Sequence, residues 1–89
     1  MAKPDKEVLE LAELMELTGV GASEASQAAS MAQSNWSRWF NRGMSPTLAK
    51  FRKFRSAVIA IAVREDKLPD GCENKPVSAL IDIARGWRV

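Results

Sequence analysis

The chain predicts an all-α fold, a small bundle of about five helices, on three observations. Apolar residues recur at helical spacing along nearly the whole length, and no stretch alternates as a strand would. Helix punctuation recurs: Gly19 follows the first apolar stripe, Gly43 the third, and Ser45-Pro46 reads as a capped start to the fourth. The length, 89 residues, allows one domain with a modest core.

Each element follows from its residues. Val8, Leu11, Ala12 and Met15, widened by Leu14, make a stripe on a first helix from about Asp5 to Leu17. Gly19 can end it in the left-handed conformation. "TGVGASEASQAAS" has two glycines but carries Glu24 where a dinucleotide loop needs a third, and no strand precedes it. A turn and a short helix from Ala22 to Ala29 fit better. Its small residues, Ala22, Ala25, Ser26, Ala28 and Ala29, let another helix approach closely. Ser30, Met31 and Ala32 connect it to a third helix that starts near Gln33 and ends before Gly43.

On that third helix each residue turns 100° from the last. With Gln33 at zero, Trp39, Trp36 and Phe40 fall at roughly 240°, 300° and 340°. Ser37, Asn41, Ser34 and Arg38 fall at roughly 40°, 80°, 100° and 140°. One face is bulky and apolar. The other carries uncharged hydrogen-bonding groups and an arginine. The aromatic face reads as core, because stacking on exposed bases would leave the helix without an inward side.

Ser45 as N-cap and Pro46 at the first helical position open a fourth helix, which runs from Thr47 to about Glu65. Leu48, Phe51, Phe54, Val58, Ile61 and Ala62 form its stripe, with Arg55 at the edge. "DKLPDGCENKP" is a loop by composition. A last helix, Pro76 to Arg85, presents Val77, Leu80, Ile81 and Ala84 and ends at Gly86. Trp87 reads either as a subunit anchor or as lying over its own helix.

The composition narrows the chemistry. Histidine is absent and Cys72 is the single cysteine, so a nucleophile has no evident base and no metal or cofactor site is expected. Cys72 reads as a surface or half-buried thiol. The spacing of Glu7, Glu10 and Glu13 winds them around their helix instead of pairing them, so no enzyme is expected. The longest apolar run, Ala57 to Val63, is too short to span a bilayer, so no membrane partner is expected. The start "MAKPDKEVLE" lacks an apolar signal core, which predicts a cytoplasmic protein.

Charge is segregated although the net charge is only +2. Asp5, Glu7, Glu10, Glu13, Glu16 and Glu24 crowd the first quarter. From Ala25 to Arg64 there is no acid, only Arg38, Arg42, Lys50, Arg52, Lys53, Arg55 and Arg64. Such a middle predicts a polyanion-binding face, with the acidic first helix turned away from it. Lys50, Lys53 and Arg55 read as phosphate contacts or as plain exposed cations.

A short small-residue helix, a tight connector and a helix with one polar face meet the needs of a helix-turn-helix. Its second helix enters the major groove, where glutamine pairs with adenine and arginine with guanine. "SEASQAASMAQSNWSRWFNRGMSPTLAKFRKF" resembles the helix-turn-helix of Cro/CI-type (XRE, lambda-repressor-like) DNA-binding proteins of phages and bacteria. The shared features are "Q-S-x-W-S-R-W", a glycine after the recognition helix and a proline-started helix. "S-x-x-S-R-W" is similar to lambda-type phage transcriptional activators. The resemblance spans about residues 8–63.

It implies inner packing by Ala25, Ser26, Ala29, Met31, Trp36 and Trp39. It implies a DNA face of Gln33, Ser34, Ser37, Arg38 and Asn41, with Arg42 and Lys50 on phosphates. Ser30 stands where the family has glycine, and a positive φ there would cost stability. Phe40 stands where the family is more often polar. The expected function is sequence-specific binding of double-stranded DNA to regulate transcription, most readily as a repressor, by a homodimer. The segment Pro76–Val89, with the fourth helix, is expected to supply the dimer contact. The alternative is an antitoxin of the helix-turn-helix type, whose acidic first helix would meet a protein partner such as a toxin.

Overall fold

The computed structural model describes residues 4–87. Among them are five α-helices and no strand: α1 Lys6–Thr18, α2 Ala22–Ala28, α3 Gln33–Asn41, α4 Leu48–Arg64 and α5 Val77–Gly86. None of these is long and apolar enough to cross a membrane.

α1 buries Val8, Leu11, Leu14, Met15 and Thr18, while Ala12 is half-buried. Thr18 is tolerated in the core because its hydroxyl donates to the Leu14 carbonyl at 2.8 Å, which satisfies the donor within the helix. Gly19, at φ 74°, ends α1 in the left-handed conformation, and the Val20 N–H returns to the Met15 carbonyl at 3.1 Å.

α4 runs through the middle of the bundle, against both α1 and α2. It therefore buries more than one stripe: Ala57 and Ile59 are buried together with Phe54, Val58, Ile61 and Ala62. Its start differs from the expectation. Thr47, not Ser45, is the N-cap, and its hydroxyl accepts the Lys50 N–H at 3.3 Å. Pro46 thus precedes the helix. The Ser45 hydroxyl donates instead to the Asp5 carboxylate at 3.2 Å, fastening the start of α1 to the α3–α4 loop. Leu48, expected in the core stripe, is instead 65% exposed.

Segment 66–76 returns across α4 and buries Leu68 and Cys72. The Arg55 guanidinium holds it by donating to the Glu73 carbonyl at 3.0 Å and to the Lys75 carbonyl. Cys72 is 1% exposed, so it is neither the surface nor the half-buried thiol that a loop position suggests. Burial pushes the Cys72 thiol above its ordinary range, and the nearby Glu73 charge adds to this, so the group is held neutral.

α5 makes its main contact with α1. Val77, Leu80 and Ile81 are buried there, so the stripe expected to pair subunits is consumed inside the protomer. Gly86 is the last residue of α5, and Trp87 caps it. The Trp87 indole N–H donates to the Asp66 carbonyl at 3.1 Å, tying the end of α5 to the end of α4. Residues 88 and 89 of the expected dimer segment lie outside the described residues.

Candidate nucleic-acid interface

Close packing of α2 and α4 on their neighbours presents α3. Ala25, Ser26 and Ala29 are buried, and α2 touches both α3 and α4. Side chains this small let the helix axes approach, as the sequence suggests. After Ala29 the chain turns at Ser30, whose φ is 55°. The Ser30 N–H bonds the Gln27 carbonyl at 3.1 Å and the Met31 N–H bonds the Ser26 carbonyl at 2.9 Å. This pair is the Schellman ending, which requires a left-handed residue at Ser30. The local turn therefore demands the conformation that glycine would adopt more cheaply.

The three aromatics of α3 are graded rather than equivalent. Trp39 is 4% exposed. Trp36 is half-buried and lies between two parallel rings, Phe54 at 5.0 Å and Phe40 at 5.6 Å. Phe40 is 39% exposed. Asn35, about 40° beyond Trp39 on the wheel, is half-buried. The inward direction of α3 is thus centred near Trp39, rotated away from Phe40 and toward Asn35.

The same rotation sets the outward direction. Gln33, Ser34, Ser37 and Asn41 are all exposed, and Asn41 Nδ2 donates to Ser37 Oγ at 3.1 Å. That contact groups two of the candidate side chains into one hydrogen-bonding unit. Arg38 is also exposed but lies at one flank of this face. There it shares a cleft of about 150 Å³ with Asn35, Thr47 and Lys50. Arg42, at the C-cap of α3, is exposed and lies outside that cleft.

Two cations, Arg38 and Lys50, border the cleft beside the start of α4. The first turn of a helix leaves N–H groups without intrahelical partners, and the helix dipole favours negative charge beside them. In α4 the hydroxyl of Thr47 takes one such N–H, and the cations of Lys50 and Arg38 flank the same opening. Asn35 and Thr47 are the members that sequence reasoning missed. A threonine three residues before Lys50 is the signal that places the cap, but Ser45-Pro46 competes with it.

The seven cations of the acid-free middle divide by what they touch. Arg64 pairs with Glu24 at 3.3 Å, and Arg55 is committed to the carbonyls of segment 66–76, so Arg55 is a structural clamp rather than a free phosphate contact. Arg38, Arg42, Lys50, Arg52 and Lys53 make no ion pair among the described residues. The acids divide as well. Glu13 pairs with Arg85 at 2.5 Å, whereas Asp5, Glu7 and Glu10 line a groove whose other side carries Arg52 and Arg55. The start of α1 therefore faces one flank of α4 instead of turning wholly away from the basic surface.

No family model, curated protein or solved structure matches this chain.

Proposed function

We propose that the chain binds duplex DNA sequence-specifically and regulates transcription, with α2 and α3 acting as a helix-turn-helix of the Cro/CI type. The observation that carries this reading is one continuous surface. An exposed, uncharged donor–acceptor face on α3 runs into a cationic cleft at the start of α4. Major-groove readout needs the first, and phosphate anchoring needs the second.

In this mechanism Lys50 and the N-terminal turn of α4 hold a backbone phosphate, which fixes how α3 enters the groove. Gln33 has the donor and acceptor needed for a paired contact to adenine, and Arg38 has the paired donors for guanine. Ser34, Ser37 and Asn41 supply shorter-range contacts, and Arg42 reaches a further phosphate. The consequence for a promoter is repression by occupying the site that polymerase needs.

Selection from a random duplex pool, sequenced after several rounds at moderate salt, tests the proposal. A single enriched motif is expected, with affinity falling steeply as salt rises. An unenriched pool would overturn it.

A further inference from the structure

The five helices are not equally held. α1, α4 and α5 each bury several large apolar side chains, and α3 buries Trp39. The 7 residues of α2 bury Ala25 and Ser26, with Ala29 enclosed at the C-cap. Hydrophobic stabilisation follows the apolar area removed from water, so α2 contributes methyl groups where its neighbours contribute whole side chains. Its ion pair, Glu24 with Arg64 at 3.3 Å, is exposed on both partners and adds little.

Two costs fall on the same segment. Ser26 is 2% exposed, and its Oγ has no hydrogen-bond partner among the described residues. Enclosing a hydroxyl without a partner disfavours the closed arrangement, and the penalty ends once the hydroxyl reaches water. Ser30 is held at φ 55° by the double closure of the turn, and that strain is released when the turn opens.

The ends of the segment are pinned. Val20, 5% exposed, precedes α2, and Met31, packed on the core, follows it. α3 has anchors other than α2. Trp36 stacks on Phe54 at 5.0 Å, Trp39 meets Phe54 at 5.8 Å and Phe51 at 6.4 Å, and α3 also touches α1.

We propose that residues 21–30 form a flap that opens by local unfolding, between Val20 and Met31, while the rest of the domain stays folded. Opening gives up the helical hydrogen bonds of α2 and its methyl contacts, but it frees the Ser26 hydroxyl and relaxes Ser30. The large apolar contacts among α1, α4 and α5 and the aromatic stack under α3 are kept. α3 is therefore presented by a fixed support on the α4 side and a movable one on the α2 side. The inference rests on packing alone and holds whether or not α3 meets DNA.

Native-state amide hydrogen exchange of the full chain, read residue by residue by NMR, tests it. Amides of residues 25–31 should be protected less than those of Leu11, Val58 and Ile61, by a factor on the order of 100. Ile81→Val, on α5, should speed Leu11, Val58 and Ile61 about two- to tenfold and leave residues 25–31 unchanged, since their opening bypasses global unfolding. Ser26→Ala removes the unpaired hydroxyl and should slow residues 25–31 by roughly fivefold or more. Circular dichroism checks that both variants keep the wild-type helix content. Equal protection of α2 and α4, an Ile81→Val variant that speeds both sets alike, or a Ser26→Ala variant that leaves residues 25–31 unchanged overturns the proposal.

Discussion

Trp39, Trp36 and Phe40 sit within about 100° of one another on α3, yet the core takes them to different depths. Trp39 meets Phe54 edge-on at 5.8 Å and is 4% exposed, whereas Phe40 stacks on Trp36 and is 39% exposed. Their truncations should rank accordingly. Trp39→Ala should cost about 3–5 kcal/mol, as a buried aromatic does. Phe40→Ala should cost about 0.5–1.5 kcal/mol, the worth of one aromatic pair, and Trp36→Ala should fall between. Urea titrations of the three variants measure this order. Equal losses would show that the inward direction of α3 is centred on Trp36 instead.

Helix endings are where this fold carries local strain. α2 and α4 both finish on a non-glycine left-handed residue, Ser30 at φ 55° and Asp66 at φ 60°. At α4 the Asp66 N–H bonds the Val63 carbonyl at 3.0 Å and the Lys67 N–H bonds the Ala62 carbonyl at 2.7 Å, the same double closure as at α2. A side chain in that conformation costs about 1–2 kcal/mol, and glycine removes this at an entropic penalty of about 0.5–1 kcal/mol. Ser30→Gly should therefore stabilise the domain by up to about 1 kcal/mol, and Asp66→Gly by less, since aspartate tolerates the conformation better. Thermal melts read the difference. A lower melting temperature for Ser30→Gly would mean that the serine side chain contributes more than its strain removes.

At the scale of the whole molecule, the radius of gyration is 12.2 Å, close to the roughly 12 Å of a folded domain of this length. With α1 packed on α5, α2 on α4, and α3 against both α1 and α2, the polar face of α3 and the start of α4 remain exposed. On the DNA-binding reading its residues should fail differently. Arg38→Ala should lose about 1–3 kcal/mol on the selected site and relax the preference at one base pair. Lys50→Ala should weaken all sequences alike and lower the salt slope by about 1. Binding isotherms across a salt series separate the two. Identical behaviour of both variants would argue that neither side chain reads a base.

The sequence by itself determined the helices and their order. That information is local: apolar spacing, Gly19, and the polar face from Gln33 to Asn41 need only a helical backbone to be read. The buried small residues of α2 were legible for the same reason. Tertiary structure decided which part of each stripe is covered. α4 is packed from several sides at Ile59 and from too few at Leu48, though both are equally apolar. α5 spends its stripe on α1. Cys72 and Leu68 are buried in a segment that reads as a loop, because Arg55 draws that segment onto α4. The cleft joining Arg38 to Lys50 likewise depends on where the α3–α4 loop folds back, a distance between elements that no periodicity along one of them encodes.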